Sequence, residues 1–203
     1  PRSGSGWVDM SAQMVMQYND LAAMCDVLGF EEKAHVYRAR ATEIGDLINK
    51  WMWHEEDGLY YDVDDDGEHI KWKTAGCFWP MLAGITSKAQ EEKLIANLKD
   101  PSSFWRQNVF PTLAADQKHY DPSGGYWKGG VWAPTNYAII RGLAKQGHDA
   151  FAREAVHRYL DEMYKVLQKT GTVWELYAPD MVRYGSGTNG LEGSHQARPD
   201  FVG

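Results

Sequence analysis

The sequence predicts an all-α fold in which helical hairpins stack into a toroid, with one small β-hairpin inserted. Two observations lead to this prediction. Apolar residues recur at steps of three and four in several long segments, which is typical of amphipathic helices. These segments form three pairs of similar size joined by short turns, which favours antiparallel helical hairpins. The length of 203 residues is that of one domain, and residues 1–203 are expected to form a single domain.

The first helical pair occupies the first quarter of the chain. Its first helix is expected to end at Gly29, because glycine favours a helix C-terminus. Its second helix is expected over 31–53, and the short connection predicts an antiparallel hairpin. The apolar stripe of the first helix is Met14, Tyr18, Leu21, Cys25 and Leu28, and that of the second is Ala34, Tyr37, Ala41, Ile44, Ile48 and Trp51.

The β-hairpin is expected between Gly58 and Trp72. Leu59, Tyr61 and Val63 alternate with other residues, as in a strand that is buried on one face. An Asp-Gly turn at 66–67 then precedes a second short apolar alternation.

The remaining helices form the second and third pairs. Helical spacing covers 75–82 and, after a capping box of Ser87 and Gln90, 88–98. Residues 101–130 are irregular and rich in aromatics, Pro and Gly, and such long connections within a domain are usually functional. The third pair is predicted to run to about Gln146 and then through the stripe Phe151, Ala155, Tyr159, Met163 and Val166, with loop after residue 178.

Composition excludes several classes of function. The formal charge is −7, from 21 basic and 28 acidic side chains, and no Lys/Arg-rich run is present, so nucleic acid is not an expected partner. No apolar run has the length of a membrane span, and no membrane partner is expected. Cys25 and Cys77 both lie in apolar helical patterns, which favours buried thiols over a disulfide.

The segment from Gly124 to Tyr137 combines indole, phenol and glycine residues just before a helix. Aromatic rings offer broad apolar faces with a polar rim, and clustered glycines let the backbone approach a ligand closely. A sugar ring fits such a surface. The alternative is an aromatic corner that only joins two helices.

Glu175 is the first candidate catalytic carboxylate, because Trp174 and Tyr177 flank it after a helix end. Glycoside hydrolysis uses two carboxyl groups, one to protonate the leaving oxygen and one to activate water or attack the sugar. The alternative for Glu175 is a hydrogen-bonded structural role. Asp9 is the second candidate, although an aspartate beside a helix start is also an ordinary N-cap. Asp116 and Asp121 flank the aromatic segment and are either hydroxyl ligands or turn residues.

No metal or organic cofactor is expected. Residues 62–68 mimic the start of a calcium loop, but Lys73 stands where the bidentate Glu belongs, so a solvated acidic hairpin tip is favoured. The His residues lack zinc-ligand spacing, and neither a phosphate loop nor a nucleophile elbow is present.

Four segments resemble glycoside hydrolase family 63 and related trehalase-like proteins. Residues 125–137 are similar to the family segment "GYWRGPVWxPxNY", and residues 7–13 to "VDLNAQ". Residues 53–62 resemble "LWDEEDGFYYD", and residues 174–179 resemble "YEYYNP", the segment with the catalytic base. The resemblance covers nearly the whole chain.

This resemblance implies the C-terminal half of an (α/α)6 toroid that hydrolyses an α-glucosidic bond with inversion. Glu175 becomes the general base, and the general acid becomes an Asp just upstream of residue 1, because Pro1-Arg2 resembles the end of the family's "ESGWDNSPR" segment. Asp9 is an alternative acid, but aligning Gly6-Trp7-Val8-Asp9 with the family's Gly-Trp-Asp requires Val8 to be an insertion. The implied substrate-binding residues are Tyr126, Trp127, Lys128, Gly129, Trp132, Asn136, Tyr137, Trp174 and Tyr177.

Two departures from the family pattern matter. Lys128 replaces the usual Arg and loses a planar fork for bidentate contacts. The chain also stops where the family continues, so exposed apolar flanks are expected, to be covered by the missing N-terminal half or by a second copy. A non-catalytic carbohydrate-binding or assembly fragment is the main alternative function. An epimerase on the same toroid ranks last, because such an enzyme would need a His base.

Overall fold

The computed structural model describes residues 5–188 and 194–200, and this part of the chain is mainly helical. The helices are α1 (Val8–Val27), α2 (Glu31–Trp51), α3 (Trp79–Ala83), α4 (Lys88–Lys99), α5 (Ala133–Lys145) and α6 (Asp149–Thr170). The strands are β1 (Trp53–His54), β2 (Leu59–Tyr60), β3 (Asp62–Val63), β4 (His69–Ile70), β5 (Val131–Trp132), β6 (Leu176–Tyr177), β7 (Ser186–Thr188) and β8 (Ser194–Gln196). Two short 3-10 turns cover Ala75–Phe78 and Tyr126–Lys128.

The first two helices form the predicted hairpin, but the predicted stripe of α1 is partly wrong. Met14, Leu21 and Leu28 are exposed, and the buried residues of α1 are Val8, Ala12, Val15, Ala22 and Cys25. Small side chains let α1 approach α2 closely. The buried positions of α2 are Ala34, Ala41, Gly45 and Ile48. The larger apolar residues of α1 therefore remain on its outer face, together with Met10 and Met24.

The second predicted helix pair is not a packed hairpin. The short helix α3 packs against α1 and α5, whereas α4 packs against β2. Gly142 makes the α3–α5 contact possible, because a Cβ there would lie 3.0 Å from the Leu82 nitrogen. On α4, the Asn97 amide donates to the carbonyls of Asp57 and Gly58. Although α3 and α4 are neighbours in the chain, they pack on different elements, because the β1–β2 hairpin offers α4 a nearer apolar surface.

The β-structure consists of two-stranded antiparallel pieces. β1 pairs with β2, and β3 with β4 around the predicted Asp-Gly turn. The pairing of β5 with β6 was not predicted and brings Trp132 opposite Leu176. It joins the aromatic segment before α5 to the segment that contains Glu175. One main apolar core links the helices, the β-hairpins and residues 101–130.

None of the described helices is both long and apolar enough to cross a bilayer. Cys25 and Cys77 are buried free thiols, as predicted. Burial raises the pKa of Cys77 to about 12, so this thiol stays protonated.

The N-terminus of α4 has the predicted capping box of Ser87 and Gln90 and, one residue later, a buried ion-pair cluster. The carboxylate of Glu91 accepts hydrogen bonds from Lys88 at 2.8 Å and from His148 at 2.9 Å. Burial acts to raise the pKa of Glu91, but these two partners outweigh it and hold the pKa below its usual value.

Replacing Glu91 with Gln is expected to destabilise the protein by about 1.5 kcal/mol at neutral pH, since hydrogen bonds to a charged group are lost. Because the folded-state pKa is lowered, this stabilisation is present above pH 4.5 and disappears as the pH falls through the folded-state value. Urea unfolding at pH 7 and at pH 3.5 measures both effects. Glu92→Gln, a substitution at an exposed neighbour, is the control and should not change the free energy of unfolding measurably. The prediction would be contradicted if Glu91→Gln lowered the free energy of unfolding by the same amount at both pH values.

Candidate active site

A cavity of about 630 Å³ lies between the start of α1, the β-hairpin, the turn before α3 and the start of α5. Its volume is within the range of small-molecule sites. Four indoles form much of its wall and come from four different segments: Trp7, Trp72, Trp79 and Trp127. The remaining lining residues are Asp9, Asp62, Thr74, Ala75, Gly76, Thr112, Pro134 and Thr135. Aromatic walls with a few polar groups suit a sugar ring.

Asp9 and Asp62 place two carboxylates on this wall. Trp7 is the N-cap residue of α1 but gives no side-chain cap; instead the Val8 N–H donates to Asp62 at 2.8 Å. Asp9 lies in the first turn and accepts the Met10 N–H at 2.7 Å, so it is not the N-cap. Burial raises the pKa of Asp62, the Val8 N–H opposes this, and the charge of Asp9 raises it further. The two carboxylates are therefore close enough to interact.

Trp127 and Trp132 form a stacked pair in the aromatic segment. Their ring centroids are 4.8 Å apart and their planes differ by 6°. Trp132 is buried, whereas Trp127 is 55% exposed and lines the cavity. Tyr126 stands edge-on to both rings. The buried indole thus supports the exposed one, and the cavity receives a rigid aromatic face.

Glycines hold this segment in a conformation that other residues would strain. Gly129 has a φ of +139°, and a Cβ there would lie 2.9 Å from the Asp121 carbonyl oxygen. Gly124, with a φ of +87°, is equally crowded by the backbone of residues 177–178 and Gly185. Gly129 thus shapes the loop that presents Trp127, and its contact with a substrate stays a prediction.

The β5–β6 pairing places the segment of Glu175 beside the aromatic segment. Glu175 precedes Leu176, which pairs with Trp132, and only 8% of its surface is exposed. Its backbone N–H donates to the Arg198 carbonyl at 2.9 Å, and its Oε2 accepts the Arg198 N–H at 3.2 Å. The Glu175 carboxylate is thus oriented by the protein. It is not among the described residues that line the cavity, to which it is connected through Trp132 and Trp127.

The two aromatic neighbours of Glu175 have different surroundings. Trp174 stacks on Tyr184 at 3.9 Å, and its indole N–H donates to Thr170 at 2.9 Å. Tyr177 is buried, and its hydroxyl accepts the backbone N–H of Trp174 at 3.1 Å. This bond braces the turn around Glu175, and a direct sugar contact of Tyr177 stays a prediction.

Asn136 also has a structural role. Its side chain is fully buried, its Oδ1 accepts the Phe110 N–H at 2.7 Å, and its amide donates to the carbonyls of Phe110 and Trp132 at 3.1 Å. These bonds fix residues 101–130 to the start of α5, and the predicted substrate contact of Asn136 stays a prediction. Tyr137 is 65% exposed and points away from that buried face of α5. Lys128 is half-buried beside Trp127, outside the cavity lining.

The remaining acidic candidates are structural. Asp121 accepts the N–H and the hydroxyl of Ser123, as a turn residue does, and Asp116 pairs with Lys73. Asp64 caps the hairpin turn by accepting the N–H groups of Asp66 and Glu68. In the described part of the chain, no group of three or more His, Cys, Asp or Glu side chains could hold a metal ion.

Sequence reasoning misses most of the cavity wall. The local pattern places Asp62 in a solvated acidic hairpin tip, although its position directly after three buried residues, Leu59, Tyr60 and Tyr61, is a signal of partial burial. The local pattern places Trp72 at the end of the hairpin and Trp79 in a helix, and it does not indicate that both indoles line a cavity. The cavity joins segments that are distant in the chain, and a local pattern does not reveal that.

The structure and the sequence are both similar to those of known glycosidases. A glycoside hydrolase family 63 mannosylglycerate hydrolase of Thermus thermophilus, solved with glucose, superposes with a TM-score of 0.74 at 23% identity, over 91% of this chain and 44% of that one. Neutral trehalase from Saccharomyces cerevisiae gives 0.73 at 19% identity, over 86% and 34%. These likenesses confirm the fold class, that of (α/α)6 toroid enzymes.

Two relatives match at the level of sequence. An uncharacterised protein of Borreliella burgdorferi is 31% identical over 176 residues, which is 85% of this chain and 37% of the relative. A mannosylglycerate hydrolase of Rubrobacter radiotolerans is 30% identical over 149 residues, 70% of this chain and 33% of the relative. The chain thus spans about a third of the length of these relatives.

The family itself follows from a match that covers nearly the whole chain. The family of the mannosylglycerate hydrolase MGH1-like glycoside hydrolase domain matches residues 6–195, including the aromatic segment, the cavity wall and Glu175. The chain belongs to this family of glycoside hydrolases.

Proposed function

We propose that this chain is part of an inverting glycoside hydrolase that cleaves an α-glucosidic bond, with Glu175 as the general base. The observation that carries the proposal is the β5–β6 pairing, which joins the segment of the buried Glu175 to the segment of the stacked indoles, one of which, Trp127, lines the cavity. Trp127 forms the exposed sugar platform, and Trp132 and Trp174 support the site. Tyr126, Lys128 and Tyr137 remain candidate contacts at its rim.

In the proposed reaction Glu175 takes a proton from a water molecule, whose oxygen attacks the anomeric carbon. A carboxylic acid opposite protonates the leaving glycosidic oxygen, so the bond breaks as the new one forms and the configuration inverts. The two carboxyl groups of such enzymes stand roughly 6.5–9.5 Å apart to leave room for the water. We assign the acid to an Asp upstream of residue 1. Asp9 is the alternative, supported by its place on the cavity wall.

We further propose that residues 1–203 form a single domain that is the C-terminal part of the catalytic toroid. The limited share of each relative that the chain spans supports this assignment. The exposed apolar face of α1, which includes Met10, Met14 and Met24, is then the surface that meets the N-terminal half or a second copy.

Product stereochemistry tests the proposed mechanism. The full-length protein, incubated with an α-glucoside of a non-sugar alcohol and with mannosylglycerate, is expected to release the β-anomer of the sugar first. Proton NMR resolves the two anomeric signals before mutarotation mixes them. Release of the α-anomer first would show retention, which Glu175 cannot give as a water-activating base.

A non-catalytic sugar-binding or assembly fragment is the second candidate. It is favoured by one observation: Glu175 is not among the described residues that line the cavity, whereas the platform residue Trp127 is. Calorimetry and product analysis on the 203-residue chain separate the two. The binding role would be supported if the 203-residue chain bound a glucoside without hydrolysing it and the full-length protein also failed to hydrolyse it.

A further inference from the structure

Glu175 lies in a tight loop that a single side chain closes. The Tyr177 hydroxyl reaches back from β6 and accepts the backbone N–H of Trp174 at 3.1 Å. This bond joins residues three positions apart, as the carbonyl–amide bond of a β-turn does, and Glu175 lies between them. The backbone that carries the Glu175 carboxylate is therefore held on its N-terminal side by this hydroxyl.

Tyr177 is a fixed point from which to hold this loop. Its backbone pairs with Val131 and also forms a bridge with Tyr184. Only 1% of its surface is exposed, so close packing leaves its ring little freedom to change rotamer. Burial raises the pKa of its hydroxyl above the usual value, and the opposing effect of the Trp174 N–H is smaller. The hydroxyl is therefore neutral at neutral pH, and it serves as a neutral hydrogen-bond acceptor.

A second segment holds the Glu175 side chain itself. The Glu175 N–H donates to the Arg198 carbonyl at 2.9 Å, and Glu175 Oε2 accepts the Arg198 N–H at 3.2 Å. Without the Tyr177 hydroxyl these two bonds would remain, but the peptide group before Glu175 would lose one of its restraints. A displacement of about 1 Å at a reacting group can lower turnover about 10²-fold, so a smaller shift of the carboxylate is measurable as well.

We propose that Tyr177 is a positioning residue for the reaction, whose hydroxyl holds the Glu175 carboxylate where it can activate water. This inference rests on the proposed function and adds a residue that acts through the base. It differs from the sugar contact that the family resemblance implies for Tyr177. A sugar contact made equally in the ground state and the transition state acts on KM, whereas positioning of the base acts on kcat.

Tyr177→Phe in the full-length protein tests the inference, because it deletes one oxygen and keeps the buried ring. We expect kcat on a glycoside substrate to fall about tenfold while KM changes less than about twofold. Tyr159→Phe is the matched control. It deletes another buried tyrosine hydroxyl, one with no hydrogen-bond partner among the described residues, and kcat should not change. Urea unfolding of both variants checks that they are folded.

The double variant Glu175→Gln/Tyr177→Phe separates positioning from a general structural effect. Once the base is absent, its position no longer matters, so Tyr177→Phe should lower the residual kcat of Glu175→Gln by less than about twofold. A general structural defect would lower kcat by the same factor with and without the base, and that result would overturn the inference.

The remaining outcomes distinguish this inference from the proposed function. An unchanged kcat in Tyr177→Phe, with or without a rise in KM, would overturn the positioning role and leave the hydrolase proposal intact. A near-normal kcat in Glu175→Gln alone would remove the proposed base, and the positioning role with it.

Discussion

Replacing Glu175 with Gln in the full-length protein is expected to lower kcat by roughly 10²–10⁴-fold, the usual contribution of a general base, with little change in KM. Gln has nearly the same shape and can still accept the Arg198 N–H at its carbonyl oxygen, but it cannot take a proton from water. The loss should therefore lie in the chemical step and not in sugar binding. Initial rates over a range of glycoside concentrations measure kcat and KM separately.

Glu56→Gln, an exposed neutralisation on the β-hairpin, is the matched control and should retain full turnover. Azide adds a readout that a structural role would not move. In Glu175→Ala, azide can occupy the vacated space and attack the anomeric carbon, so turnover should recover in part and yield a glycosyl azide of inverted configuration. Near-normal kcat in Glu175→Gln would remove Glu175 from the base role and leave the cavity carboxylates as the candidates.

Most helices could be predicted from the sequence because their signals are local. The capping box at Ser87 and the turn glycines at Gly29 and Gly147 mark helix ends within one or two residues. The inward face of α1 could not be predicted in the same way. The large apolar residues of α1 form a clearer helical stripe in the sequence than its small residues do. The close approach of α1 to α2, however, requires small residues at the contact, such as Ala12 and Ala22.

The site was predicted where its signal was concentrated in one segment and missed where it was assembled from several. The aromatic segment and Glu175 each stood out locally, and the β5–β6 pairing brings them together. Asp62 reaches the cavity because it binds Val8, which is 54 positions away in the chain, and no periodicity encodes that contact. The motif position of Asn136 also does not reveal that its side-chain amide forms hydrogen bonds with buried backbone groups of Phe110.

Replacing Gly129 with Ala is expected to destabilise the protein by about 3 kcal/mol and to abolish sugar binding at Trp127. A φ of +139° is closed to residues with a Cβ, and that strain alone costs on the order of 1–3 kcal/mol. The added Cβ would also lie 2.9 Å from the Asp121 carbonyl oxygen and from the Tyr120 ring. Relief of the clash must move the backbone next to Trp127, so the stacked indole pair should be lost. Urea unfolding measures the first effect, and glucose titration measures the second.

Gly147→Ala is the matched control, because this glycine also has a positive φ, +85°, but nothing lies within 4 Å of the position that a Cβ would take there. It should cost about 1 kcal/mol, the ordinary penalty of a left-handed alanine, and leave sugar affinity unchanged. The difference between the two variants therefore isolates the close packing of the aromatic loop from backbone strain in general. If Gly129→Ala lost no more stability than Gly147→Ala and still bound glucose, the loop would not need its glycine to present Trp127, and the sugar platform would have to be sought among the other three indoles of the cavity.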